Sequence, residues 1–147
     1  MYKNIVLAYD GSLDGREALK QGAEMAIACG AHVQLVAVIA NAADIALAES
    51  VYPSGELLQH EHEEVSQVLQ DGEYALRDQG LSVTGIVRRG QPVEEIVAQA
   101  RRCQADLIVV GHREQSTLAR WWRGSVGQSL LSESPCSVLV CVIPKTE

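Results

Sequence analysis

Positive charge is in short supply in this sequence. Twelve lysines and arginines stand against nineteen aspartates and glutamates, a formal net charge of −7. Such a chain is repelled by nucleic-acid backbones and by acidic lipid surfaces, so neither partner is expected. The basic pairs Arg88-Arg89 and Arg101-Arg102 are too short to reverse that balance. Long apolar runs are missing as well: nothing approaches the roughly 18 residues that a membrane helix needs. The opening residues Met1-Tyr2-Lys3-Asn4 run straight into a strand-like segment, without the apolar stretch of a secretory signal. The expectation is a soluble cytoplasmic protein with no membrane and no nucleic-acid partner.

Metal-ligand spacing is also absent. The cysteines Cys29, Cys103, Cys136 and Cys141 include no CxxC pair, and all four are expected to be reduced, buried thiols. Cys136 and Cys141 lie five apart across a predicted strand and so fall on opposite faces. His60 and His62, two apart on a predicted helix, point in different directions. His62 falls in an apolar stripe and is expected to be partly buried packing. Glu61, Glu63 and Glu64 fall mostly on the solvated side of the same helix. No protein metal site is expected.

What is present is an ordinary globular composition, 47% hydrophobic and 21% charged over 147 residues. A chain of this size is expected to form one domain over residues 1–147. Its pattern alternates. Residues 3–9 form a short apolar run that ends in Asp10-Gly11-Ser12, where Ser12 is a natural N-cap. The helix that follows carries Ala18, Leu19, Gly22, Ala23, Met25 and Ala26 and stops at Gly30. A second strand covers 32–39. Residues 40–55 have no period and are either a lid or a long connection.

A helix is predicted over 56–79, with the stripe Leu58, His62, Val65, Leu69, Gly72 and Leu76. A third strand follows over 81–87. Pro92 then opens a helix whose inner face is Val93, Ile96, Val97, Ala100 and Cys103. The fourth strand is 107–110, a helix is predicted from Ser125 to about Ser132, and the last strand is 137–143. Five strands separated by four helices predict an open five-stranded parallel sheet, order 3-2-1-4-5, with helices on both faces: a Rossmann-like α/β fold. Ligands bind such sheets beyond the carboxyl ends of the strands, where strand order reverses.

The stretch 107–131, LIVVGHREQSTLARWWRGSVGQSLL, carries the chemistry. A buried strand stops at Gly111, twelve largely polar residues follow, and Gly124-Ser125 opens a helix. Unpaired N–H groups at a helix start hold phosphate, and glycine lets the backbone come close to it. Ser125 can both cap the helix and donate its hydroxyl to a phosphate oxygen. A plain strand–loop–helix connection would account for the same glycines, and on this segment alone the two readings are even.

The motifs Ala8-Tyr9-Asp10-Gly11-Ser12, Gly90-x-Pro92-x3-Ile96, Ala105-Asp106-Leu107-Ile108-Val109-Val110-Gly111 and Gly124-Ser125-Val126 occur in that order. Together they resemble the universal stress protein family over essentially the whole chain. The family contains ATP-binding and non-binding members, and the binders are similar to G-x2-G-x9-G-[S/T] after the fourth strand. Gly111 and Gly124-Ser125 match; position 114 is Glu114 in place of the second glycine. The resemblance implies that Asp10 bonds the ribose and that backbone at Tyr9 and Val38 recognises the adenine. It places Gly111, Gly124, Ser125 and Val126 around the phosphates, with Ala8, Val110 and Arg113 completing the nucleotide-binding set. The implied ligand is ATP, with ADP and AMP as the other candidates and magnesium as a companion ion.

The resemblance further implies a homodimer through the last strand, 137–143, which should lie at an uncovered sheet edge. Trp121 and Trp122 are expected to pin the loop onto the domain, and His112 to serve the turn or touch phosphate. The first functional reading is an ATP-binding stress-response module that signals to an unknown protein partner. The alternative is a nucleotide-free homodimer that works through protein contacts, as Glu114 would allow. No nucleophile, general base or triad is visible, so enzymatic activity is expected to be at most slow ATP hydrolysis, or self-phosphorylation at Ser125, Ser116 or Thr117.

Overall fold

The computed structural model describes residues 1–9, 13–39, 55–112 and 130–142. Five strands, β1 (Asn4–Ala8), β2 (His32–Ile39), β3 (Val83–Arg89), β4 (Leu107–His112) and β5 (Ser137–Val142), form one sheet in the order β3-β2-β1-β4-β5. Every pairing is parallel. The connecting helices include α1 (Leu13–Cys29), α2 (Gly55–Asp78) and α3 (Pro92–Arg102), and residues 130–133 are helical just before β5.

Each strand divides its side chains between two apolar layers, because successive Cβ atoms point to opposite faces. Ile5, Leu7, Val33, Leu35 and Val109 pack with Ala18, Ala23, Ala26, Leu69 and Leu76, so α1 and α2 cover one face. Val6, Ala8, Val36, Ile108 and Val110 pack with Ile96, Val97, Ala100 and Leu130 on the other. Burial on both sides explains why β1 and β4 are unbroken apolar runs rather than alternating ones. Cys141 joins the first layer and Cys136 borders the second, as their spacing required.

At the opposite end of the sheet from the loops of interest, the Asp106 carboxylate ties the chain's start to β4. Its oxygens accept the backbone N–H groups of Lys3 at 2.8 Å and Asn4 at 3.1 Å. The Asp106 N–H returns a bond to the Asn4 carbonyl at 2.9 Å.

Four expectations change. The fourth strand does not stop at Val110 but runs on through Gly111 and His112, so His112 is a strand residue in register with Val142 rather than a turn residue. The third strand begins at Val83 and runs through Arg89, two residues later than 81–87. Arg88 and Arg89 continue the ladder opposite Val38 and Ile39 because β3 is an outer strand, where long charged side chains find room. Arg88 lies along the α3 face and donates Nη2 to the Gln99 Oε1 at 3.3 Å; Arg89 stands 3.8 Å from Glu61. His62 is exposed rather than partly buried. Leu69, Gly72 and Leu76 of its stripe are buried, but the packed part of α2 lies further along the helix than His62. Of the cysteines only Cys141 is buried; Cys29, Cys103 and Cys136 are half-buried, and all four are free thiols.

Candidate functional site

The crossover through α1 lies on one face of the sheet and the one through α3 on the other. Strand order therefore reverses between β1 and β4, which opens a crevice at the carboxyl ends of the two strands. Ala8, Tyr9, Val110 and Gly111 sit on its lip, all buried. Gly111 pairs with Cys141 of β5 and belongs to the strand, so its backbone is held rigidly at the start of the long loop.

Tyr9 marks where β1 lets go of β2. Its N–H donates to the Val36 carbonyl at 2.9 Å, and that is the last bond between the two strands among the described residues. In a strand the N–H and C=O of one residue point to the same side and those of the next residue to the other. Val36 points toward β1. The Ile39 carbonyl points toward β3, where it accepts the Gly90 N–H at 3.0 Å. Val38, two beyond Val36, therefore aims both its N–H and its C=O toward the β1 side, past the end of β1. A donor and an acceptor side by side, facing an open crevice, require a partner. This geometry suits the edge of a heteroaromatic base that offers one acceptor and one donor.

The side chains sort themselves differently from the backbone. Ala8, Val38 and Val110 all lie in the α3-side layer, Val38 half-buried at its margin. They form a continuous apolar wall below the crevice. The Tyr9 ring turns the other way, into the layer of α1 and α2, so only the Tyr9 backbone belongs to the crevice. Asp10, Arg113, Gly124, Ser125 and Val126 lie outside the described residues. So do Glu114, Ser116, Thr117, Arg120, Trp121, Trp122 and Arg123, the helix start at Ser125, and the connection 40–54.

The Cys141 thiol stands in register with Gly111. Burial pushes it above the ordinary thiol value of 9.0, and the Glu17 carboxylate adds to the rise. Cys103 and Cys136, near the far end of the sheet, are raised too, again chiefly by burial. These thiols are poor nucleophiles. Among the described residues no group of three or more His, Cys, Asp or Glu side chains could hold a metal ion. No described helix is long and apolar enough to cross a membrane.

Two features escaped the sequence. Gln99, only 5% exposed, sits in the apolar stripe of α3 between Ile96 and Ala100. A polar residue in register with buried neighbours was the available signal. The orientation of the Val38 peptide groups became legible only once the strand register was known.

Comparison with known proteins decides the lineage. The Universal stress protein family profile matches residues 1–142. The chain belongs to that family. A universal stress protein from Methanocaldococcus jannaschii, MJ0531, is 32% identical over 149 residues, covering 100% of this chain and 86% of its own length. One from Thermus aquaticus is 32% identical over 146 residues, covering 95% of this chain and 98% of its own length. Among solved structures, the protein MJ0577 superposes with a TM-score of 0.80 at 29% identity, covering 99% of both chains. A universal stress protein in complex with cAMP superposes with a TM-score of 0.71 at 22% identity, covering 96% of this chain and 97% of its own. Another, from Archaeoglobus fulgidus in complex with dAMP, has a TM-score of 0.64 at 22% identity, covering 95% of this chain and 97% of its own.

Proposed function

We propose that this universal stress protein binds an adenine nucleotide, ATP foremost, in the crevice between β1 and β4, and acts in the cytoplasm as a nucleotide-responsive module. The observation that carries the reading is the Val38 peptide pair. Its N–H can donate to adenine N1 while its C=O accepts from the N6 amino group, with Ala8, Val38 and Val110 forming an apolar bed for the base. Asp10 would bond the ribose, and Gly111, Arg113, Gly124, Ser125 and Val126 would surround the phosphates, with or without magnesium. Family members of the same fold hold cAMP and dAMP, which supports an adenine-directed site. In this reading the nucleotide serves as a signal rather than a substrate for fast turnover.

Dimerisation accompanies this role. β5 is the last strand of the sheet, and Val138, Leu139 and Val140 are half-buried along it. An apolar outer strand of this kind pairs readily with its own copy about a twofold axis. Light scattering at micromolar concentration should give twice the 15.9 kDa chain mass; a monomer alone would reject this part.

The deciding experiment for the nucleotide is to denature purified protein and chromatograph what it releases, then titrate the protein with MgATP. An adenine nucleotide in the extract, or saturable binding, supports the reading. Neither one, up to millimolar MgATP, defeats it. In that case the second reading, a nucleotide-free homodimer working through protein contacts, takes its place, and the Glu114 substitution is the feature that favours it.

A further inference from the structure

Three side chains meet on the outer pair of strands, at the opposite end of the sheet from the β1–β4 crevice. His32 opens β2, Ser82 directly precedes β3, and Thr84 is the second residue of β3. Strand register brings them together. Gln34 pairs with Thr84, so His32, two residues earlier, lies opposite Ser82. At this even spacing all three side chains leave the sheet on one face. The backbone beneath them is fixed. Gly80, at φ +86, makes the turn out of α2, and its N–H donates to the Arg77 carbonyl at 2.9 Å. The Ser82 carbonyl accepts the Val33 N–H at 2.9 Å, and the His32 N–H donates to the Lys3 carbonyl at 2.9 Å.

The His32 ring is held at both nitrogens. Nδ1 stands 2.7 Å from Ser82 Oγ, and Nε2 stands 3.0 Å from Thr84 Oγ1. A neutral imidazole carries one N–H, so one nitrogen donates and the other accepts. The distances assign the two roles, since 2.7 Å suits a hydroxyl donor and 3.0 Å suits an N–H donor. Ser82 therefore directs its hydroxyl proton at Nδ1, while the Nε2–H is tied to Thr84. A hydroxyl bonded to a base, with a third group fixing the tautomer of that base, is the arrangement that activates a nucleophile. Ser82 and Thr84 are exposed and His32 is half-buried, so the hydroxyl is open to a reagent while its base is partly shielded.

We propose that Ser82 is a nucleophilic serine, activated by His32 and acylated by small activated acyl donors, esters or thioesters with a good leaving group. Ser82 Oγ forms the new bond to the carbonyl carbon of the donor, and its proton passes to His32 Nδ1. The bond from that carbon to the donor's oxygen or sulfur breaks, and the leaving group departs with the electron pair. His32 then releases the proton to the leaving group or to water, which leaves an ester on Ser82 and a neutral imidazole. His32 is the general base, and Thr84 is a positioning residue that acts through it. The site does not depend on the nucleotide reading, because none of the three residues borders the crevice.

The test treats the full chain with p-nitrophenyl acetate, follows release of p-nitrophenolate, and maps the acetylated peptides after an acid quench. Wild type should show a fast phase that places acetyl on Ser82. Ser82→Ala should remove that phase, and His32→Gln should slow it by about a hundredfold. Thr84→Val should slow it by about fivefold, the loss expected from one hydrogen bond, and should move the His32 ring nitrogen-15 shifts as the tautomer is freed. A merely structural threonine would leave those shifts in place. Wild type in urea serves as a measurement without substitution: the preference for Ser82 should disappear once the strands separate. An equal rate in His32→Gln, a fast phase that persists in Ser82→Ala, or acetyl confined to Lys3, Lys20 and the terminal amine would overturn the proposal.

Discussion

Gly72 of α2 lies against the ring of Tyr9, so close that a Cβ there would stand 2.9 Å from Tyr9 Cε1 and equally near Leu35 Cδ2. The contact joins three parts of the molecule: the long helix, the end of the central strand, and the backbone that turns into the candidate crevice. Gly72→Ala adds helix propensity of about 1 kcal/mol. It also overpacks a site in which the tyrosine ring, 7% exposed, has little room to yield, at a cost of about 1–3 kcal/mol. The expected result is a net loss of about 1 kcal/mol, read as a fall in Tm of about 2–4 °C. A stabilised variant would show that the ring moves freely.

Asp106 is the carboxylate whose loss should be felt most in the fold. It accepts two backbone N–H groups at the start of β1, of which the Lys3 N–H is exposed to water and the Asn4 N–H is part-buried. Asp106→Ala is expected to lower unfolding free energy by about 1–3 kcal/mol, with an unchanged urea m-value. Asp106→Asn should recover only part of this, because its amide nitrogen cannot accept from the second N–H. Full recovery by asparagine would mean that a single bond suffices.

The buried thiols give a pH dependence of known sign. Cys141 binds its proton more tightly in the folded protein than in the unfolded chain, since burial and then Glu17 raise its pKa above 9.0. The stability that this contributes is complete below the ordinary thiol pKa and is lost as pH climbs through the raised folded value. The urea midpoint should therefore fall in the alkaline range above about pH 9, and less steeply in Cys141→Ala. Alkylation of folded protein at about pH 8 should be slow at Cys103, Cys136 and Cys141 compared with the same thiols in urea.

The Val38 peptide pair makes a prediction about the base. Adenine presents an acceptor at N1 and a donor at N6, while hypoxanthine presents a donor at N1 and an acceptor at O6. Each reversed contact sets like against like at a cost of about 1–3 kcal/mol. ATP should therefore bind at least about tenfold more tightly than inosine triphosphate under the same magnesium and salt conditions. Equal affinities would mean that the base is not read at Val38.

How much of this was legible in residues alone depends on what each residue reports. Val6, Leu7, Ile108 and Val109 are apolar on both faces, and that fixes β1 and β4 as central strands before any coordinates are known. Pro92 at the first turn of α3 and Gly30 at φ +65 punctuate the chain where they were expected to. Arg88 and Arg89 lay outside the expected strand 81–87, yet an outer strand accommodates them. His62 misled through periodicity, which reports the face of a helix but not how far along it the packing extends. At the crevice, glycine and apolar residues announced the lip, but side-chain identity says nothing of where the Val38 N–H and C=O point. His32, Ser82 and Thr84 carry no motif, because they meet only through the register of two strands distant in sequence.

Glu114 offers the sharpest test of the nucleotide reading, because it stands where the G-x2-G-x9-G-[S/T] pattern that this loop resembles has its second glycine. A carboxylate about 5 Å from a phosphate opposes it by about 1–3 kcal/mol, depending on the effective dielectric. A side chain at a backbone position that needs positive φ adds about 1 kcal/mol. Glu114→Gly should therefore tighten ATP binding by a factor of about ten or more, while Glu114→Gln, which removes the charge and keeps the side chain, should recover only the electrostatic part. The charge component should shrink with added salt, and the conformational component should not. Titrations of the three proteins at low and high ionic strength separate the two. Identical affinities across the series would mean that residue 114 never approaches the phosphates, and the assignment of this loop to the nucleotide would have to be given up.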